Sequence, residues 1–179
     1  ADTTVISGAG KPRSEIMKAL RGPKGTRVDV KVARRNESEP IMFRITRDDI
    51  PVNSVDAAYM AAPGTGYIRL SRFAETSFDE VSEALKSLEK QGMKRLIFDL
   101  EDNGGGILGT AVEIAELFLD KDNLITYTES PKLGTAPYVA RHKGRYANLP
   151  VTVMVNQYSA SASEILSGAL QDHDRAVVV

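Results

Sequence analysis

The residues Ser159-Ala160-Ser161-Ala162-Ser163 place three hydroxyls among very small side chains. They lie where the apolar run Val151-Thr152-Val153-Met154-Val155 gives way to helical spacing, with Ile165, Leu166, Ala169 and Leu170 on one face of the segment from Glu164 to Gln171. A serine at such a turn can do two things. Its oxygen can cap the helix by accepting a free N–H of the first turn, or it can attack a carbonyl once a base takes its proton. One serine suffices for a cap. The surplus of hydroxyls and alanines leaves room for a substrate backbone to come close, which favours chemistry.

A second cluster is Asp99-Leu100-Glu101-Asp102-Asn103-Gly104-Gly105-Gly106. Gly104, Gly106 and Gly109 satisfy the G-x-G-x-x-G spacing, and Glu129 follows Gly109 at about the separation of a ribose-binding acid. In a dinucleotide site, however, the first glycine directly follows the strand, whereas Glu101, Asp102 and Asn103 intervene here and would face a pyrophosphate with negative charge. A tight connection needs glycine only where φ is positive, and three in a row exceed that need. Bare backbone N–H groups near a helix start can hold an oxyanion. A serine at one helix start and exposed amides at another are the two halves of an acyl-transfer site.

Composition narrows the alternatives. With 42% hydrophobic and 26% charged residues, the 179-residue chain is a folded globular protein with no apolar run near the ~20 residues of a spanning helix. A net charge of −1 gives no basic footprint for nucleic acid or an anionic membrane. The absence of cysteine removes thiolate nucleophiles and Cys-ligated zinc, and His142 and His173 stand too far apart for a metal-binding pair. Neither a metal nor a cofactor is expected. Ala1 begins without Met, basic n-region or apolar segment, so the chain is expected to start after any targeting sequence.

The elements that must position the two clusters form an α/β (α+β overall) chain. Residues 1–50 read as part of a small β-rich domain. It has a short strand at Thr3–Ile6, a helix from Pro12 to Leu20, a turn at Gly22-Pro23-Lys24-Gly25, and a hairpin of Val28, Val30 and Val32 with Met42–Ile45. Residues 51–65 read as a linker. From residue 66 to 179 strands and helices alternate: a strand at Tyr67–Leu70, then a helix with a Ser77/Glu80 capping box that ends at Gly92. The strand Leu96–Leu100 is apolar on both faces, as when helices cover each side. The glycine loop and a second helix follow, then strands at Leu124–Thr128 and Val151–Val155, the serine helix, and Ala176–Val179. Such alternation predicts βαβ units around parallel pairs. Lys132 to Leu149 reads as a long polar insertion without a period.

With both clusters in hand, the sequence resembles the carboxy-terminal processing peptidases, also called tail-specific proteases. Leu20-Arg21-Gly22-Pro23-Lys24-Gly25-Thr26 is similar to the end of the family's PDZ domain, and Gly66-Tyr67-Ile68-Arg69-Leu70 with Phe73 to its first core strand. Phe98 to Gly106 resembles its Asp-Leu-Arg-x-Asn-Pro-Gly-Gly loop. Tyr158 to Ile165, followed by Ala169-Leu170-Gln171-Asp172, matches its nucleophile motif. The resemblance implies a partial PDZ-like domain followed by a protease core of ClpP/crotonase-like fold, truncated at both ends. It further implies a serine endopeptidase acting on C-terminal or unfolded segments of proteins, outside the cytoplasm, with membrane association through a missing N-terminal segment.

Carried over by position, the resemblance makes Ser161 the nucleophile and the N–H of Ala162 one oxyanion donor, with Gly105 or Gly106 supplying the second. Glu101 stands where the family has Arg, and Gly104 where it has Pro. The family's general base is a lysine about twenty-five residues after the serine, a Ser-Lys variant of nucleophile–base logic. Since Val179 lies eighteen residues after Ser161, the expectation is an inactive internal fragment whose base lies beyond its end. Lys143 carries no motif that would let it substitute. His173 with Asp172 and Asp174 sits more than two turns along the same helix and reads as a solvated cluster. A different class of reading is a non-catalytic PDZ-type module that binds peptides by strand addition.

Overall fold

The computed structural model describes residues 5–6, 10–48, 53–132 and 134–179. The strand expected at Thr3–Ile6 therefore begins outside the described residues, as do the boundary positions Pro51 and Val52. The chain divides into two compact units, Ala1–Val52 and Asn53–Val179.

In the first unit, helix α1 (Arg13–Leu20) precedes the antiparallel pair β1 (Arg27–Val32) and β2 (Ile41–Thr46), in register Val28↔Ile45 and Val30↔Phe43. The expected turn forms with Gly25 at φ +81 and the Thr26 N–H on Pro23 O at 3.1 Å. Arg47 ties the unit together: its Nε donates to Leu20 O at 2.8 Å and its Nη1 to Thr26 Oγ1 and Arg27 O, both at 3.0 Å.

The second unit is built on a five-stranded sheet. Its strands are β3 (Val55–Ala62), β4 (Thr65–Leu70), β5 (Arg95–Asp99), β8 (Val151–Met154) and β9 (Ala176–Val178), adjacent in that order. The β3–β4 pair is antiparallel and the other three pairs are parallel. Helix α2 (Ser77–Lys90) connects β4 to β5, α3 (Leu108–Glu116) follows β5, and α4 (Ala162–Asp172) connects β8 to β9. Alternation sends Ile68, Leu70, Leu96, Phe98 and Val153 into one core, where they meet Val81, Leu85 and Leu88 of α2, Ile114 of α3, and Leu166 and Leu170 of α4. Phe98 and Phe118 meet edge to face at 6.2 Å. Full burial of each such side chain contributes about 1.5–3 kcal/mol.

Five expectations need correction. Where a linker was expected over 51–65, Val55–Ala62 is a strand; it pairs along β4 with two register shifts, and only Val55, Ala57 and Met60 are less exposed than their neighbours, at a spacing that breaks the period of two, so its alternation is weak. The strand at Leu124 lies outside the main sheet: β6 (Leu124–Ser130) forms a separate ribbon with β7 (Gly134–Val139). β7 falls inside the stretch expected as aperiodic insertion, and both ribbon faces are largely exposed, so no apolar alternation marks it. The Ser77/Glu80 capping box is absent. Ser77 Oγ accepts the Ala74 N–H at 2.7 Å, while Glu80 Oε2 accepts the N–H groups of Ser54 and Val55 at 2.8 and 2.9 Å and holds the start of β3 on α2. Finally, β5 is covered unequally, since Leu96 and Phe98 are buried and Ile97 only half so.

The loops after β4, β5 and β8 all leave the carboxyl ends of neighbouring parallel strands. In open α/β sheets, that end is where ligands bind.

Candidate active site

The loop after β8 turns sharply into α4, and the turn sorts the three serines by what they touch. Ser159 Oγ donates to Leu100 O at 2.7 Å and accepts the Asn156 N–H at 3.0 Å. Ser163 is fully buried and donates to Asn103 O at 2.8 Å. Both are structural ties to the loop after β5. Ser161, between them, is exposed and has φ 56, ψ −113. An ordinary helix cap sits in the β region. A non-glycine residue in this conformation is strained and persists only where its surroundings hold it. One such hold is the Ser161 N–H, which donates to Glu164 Oε2 at 2.6 Å.

The glycine loop is fixed by Asn103, which has no exposed surface. Its Nδ2 donates to Leu70 O at 2.8 Å, and its Oδ1 accepts the Gly105 N–H at 2.9 Å. Its backbone oxygen accepts the Ala160 N–H at 3.1 Å in addition to the Ser163 hydroxyl. The loop is also stitched to Phe73, whose N–H donates to Gly105 O at 3.0 Å and whose oxygen accepts the Ile107 N–H at 2.9 Å. Gly105 and Gly106 have φ +97 and +147, conformations that a side chain would strain.

These ties bring the two clusters into contact. A Cβ on Gly105 would stand 2.6 Å from Ala160 O, 2.8 Å from Ser161 Cβ and 3.0 Å from the Ala162 nitrogen. A Cβ on Gly106 would instead strike Phe73 O. Ala162 is the first residue of α4, so its N–H has no intrahelical acceptor and sits at the positive end of the helix dipole. Among the described residues, the Gly106 N–H is in no hydrogen bond, whereas that of Gly105 is taken by Asn103. Such a site can hold an anionic oxygen beside an exposed hydroxyl.

Under the glycine loop lies a polar cluster. Buried Asp99 accepts hydrogen bonds from the Tyr67 hydroxyl and, at 2.8 Å, from the Glu101 N–H. Arg69 reaches Asp99 at 3.2 Å and Asp102 at 3.5 Å. Burial, reinforced by the Asp99 carboxylate, pushes the Tyr67 phenol above its usual range. Asp102, at φ 61, exchanges two hydrogen bonds with the Asn156 side chain at 3.1 and 2.9 Å, joining this cluster to the serine turn.

Other candidate groups are committed elsewhere. The Lys143 amine pairs with Asp120 at 2.8 Å. His173 Nε2 lies 2.7 Å from Leu124 O and Nδ1 lies 3.1 Å from Asn123 Nδ2, so the ring ties the end of α4 to the start of β6. That replaces the expectation of a merely solvated cluster. Glu164, Asn103 and Asn156 do work at the site that the sequence reading did not assign. The Ser161-x-x-Glu164 spacing of a capping box marked the first, and an asparagine ahead of glycines, typical of turns, marked the second.

Residues 64–179 match the sequence model of peptidase family S41. The chain is 39% identical over 168 residues to a carboxyl-terminal-processing protease of Synechocystis sp., covering 92% of this chain and 39% of that protein. It is 31% identical over 175 residues to a carboxy-terminal-processing protease of Bartonella bacilliformis, covering 96% and 40%. Among solved structures, the photosystem II D1 C-terminal processing protease superposes with a TM-score of 0.61 at 29% identity, over 92% of this chain and 46% of that one. The chain thus spans about two fifths of the length of these curated relatives.

Proposed function

The chain belongs to peptidase family S41, and from that premise we propose that the protein containing it hydrolyses peptide bonds in C-terminal or unfolded segments of other proteins, with Ser161 as the nucleophile. The observation that carries the proposal is the juxtaposition of an exposed, strained Ser161 with Gly105 packed against it and the Ala162 N–H. Ser159 and Ser163 are spent on ties within the fold, which leaves Ser161 as the reactive hydroxyl.

In this reading Ser161 gives its proton to a base as Oγ bonds to the scissile carbonyl carbon. The carbonyl oxygen becomes the oxyanion, held by the Ala162 N–H and a glycine N–H. Collapse breaks the C–N bond, and the base returns its proton to the leaving amine. Water then cleaves the acyl-serine by the same steps. Of the glycine donors, Gly106 is favoured, because the Gly105 N–H is occupied. The base is a lysine kept neutral by burial, contributed from outside residues 1–179. Commitment of Lys143 to Asp120 supports this assignment. The first unit, with its helix and hairpin, we assign to the C-terminal part of a PDZ-like domain that presents substrates.

The test is turnover of an unfolded protein by the full-length protein and its variants. Ser161→Ala should abolish cleavage while stability changes by about 1 kcal/mol or less. Ser159→Ala and Ser163→Ala should keep measurable activity, and wild-type rates in all three would reject the nucleophile. The 179-residue chain alone should not cleave peptides; activity equal to that of the full-length protein would place the base inside it and reject the lysine assignment.

A further inference from the structure

We infer that Asn103 is a positioning residue for the proposed hydrolysis: its carboxamide sets the spacing between the glycine loop and Ser161 and, by occupying the Gly105 N–H, leaves the second oxyanion contact to Gly106. The inference rests on the reading of Ser161 as nucleophile and extends it to a residue that touches neither substrate nor base.

Five hydrogen bonds converge on Asn103. The backbone N–H donates to Leu100 O at 3.1 Å, the side chain binds Leu70 O and the Gly105 N–H, and the backbone oxygen accepts Ala160 and Ser163. Three loops therefore meet on one residue: the end of β4, the glycine loop, and the serine turn. Ionised aspartate, leucine and glutamine each fail the role. The site asks for a donor toward Leu70 O and an acceptor toward the Gly105 N–H on one short planar arm. Aspartate lacks the donor, leucine lacks both groups, and glutamine is a methylene too long for a residue with no exposed surface. Leu70 and Gly105 are buried as well, so a lost partner leaves a polar group without water to replace it.

The consequence for chemistry follows from direction. Gly105 presents its Cα to Ser161 and Ala162, and its N–H points back to Asn103. A loop held this way keeps its distance from Ser161 whether or not substrate is bound. Donors of that kind need no reorganisation when charge develops. Without the carboxamide, the loop is free to settle elsewhere, and a displacement near 1 Å at a reacting centre costs about 10²-fold.

The experiment compares wild type, Asn103→Asp, Ser163→Ala and Ser161→Ala in the full-length protein, by steady-state cleavage of a peptide across a pH series, with thermal unfolding as the folding control. Asn103→Asp is expected to lower kcat by about 10²-fold with KM within about threefold, since the lost term acts on the transition state. Its kcat relative to wild type should rise as pH falls, because a protonated carboxyl regains a donor for Leu70 O, and burial raises the pKa of such a group. A purely structural role would not produce that trend. Ser163→Ala, which removes one bond to the Asn103 oxygen and leaves the carboxamide intact, should lower kcat by about tenfold at unchanged KM. This arm decides the matter if Asn103→Asp does not fold. If Ser161→Ala is inactive while the two other variants keep wild-type kcat, or lose only KM, the role of Asn103 is overturned and the nucleophile stands. Activity in Ser161→Ala overturns the nucleophile itself.

Discussion

Gly105→Ala tests the proposed site with a single methyl group. Ordinary van der Waals contact begins near 3.4 Å, and the new Cβ would stand 2.6 Å from Ala160 O and 2.8 Å from Ser161 Cβ, so the serine turn and the loop must part by about 0.8 Å. Neither neighbour is the far end of a flexible chain. Both belong to a turn pinned by the Ser159 and Ser163 hydroxyls. The φ of +97 adds a strain of about 1–3 kcal/mol. A shift of that size should cost roughly 30- to 100-fold in kcat of the full-length protein, alongside a stability loss of about 2 kcal/mol. Gly104→Ala is the internal control, because a Cβ there meets nothing within 4 Å and φ is not positive. The assay is peptide turnover together with urea unfolding for both variants. Equal kcat in Gly105→Ala and Gly104→Ala would refute the reasoning, since it would mean that the loop's distance from Ser161 does not matter.

Other outcomes follow from the same structure. Gly109 in α3 and Gly168 in α4 have open space where a Cβ would stand, so Gly109→Ala and Gly168→Ala should each stabilise the chain by about 0.5–1 kcal/mol in denaturant titration. Gly144→Ala should do the reverse, because its Cβ would collide with the backbone oxygens of Glu116 and Leu117 at the end of α3; a loss of about 1–3 kcal/mol is expected on unfolding. Burial would raise the Glu80 carboxyl, but the Val55 N–H, Thr76 and Ser54 outweigh it and hold the carboxyl below its usual value; Glu116 is lowered likewise, with Arg141 outweighing burial. Their contribution is therefore present above the unfolded value of about 4.3 and is lost as pH falls through the lowered folded values. Thermal unfolding from pH 6 to pH 2 should show that acid loss diminished in Glu80→Gln.

The parts of the fold legible in the sequence are those where one face meets the core. The strands β4 and β8 and helices α2 and α4 each carry such a face, and each stands where the sequence pattern placed it; the β1–β2 hairpin is legible instead from the alternation within β1 and the turns around it, since β2 is exposed at five of its six positions. The misplaced parts have a different physical basis. The β6–β7 ribbon is largely exposed and buries little beyond Ile125, so burial writes almost no pattern into it. The Glu80 carboxylate was assigned to its own helix start, yet it binds the N–H groups of a strand more than twenty residues upstream. A side chain's reach through space leaves no periodic trace.

The site shows the same division more sharply. Ser-Ala-Ser-Ala-Ser offers three hydroxyls of equal chemistry, and local spacing alone cannot rank them. The ranking comes from the loop after β5, about sixty residues upstream in the chain. It presents Leu100 O to Ser159 and Asn103 O to Ser163, and nothing comparable holds the middle hydroxyl in that loop. A hydroxyl committed to a backbone oxygen is a weak candidate for attack, because proton transfer would first break a buried bond. The same two ties oppose the strain at Ser161 by fixing the residues on either side of it. On the proposed reading the outer serines and Asn103 hold the conformation, and Ser161 is left available for the chemistry.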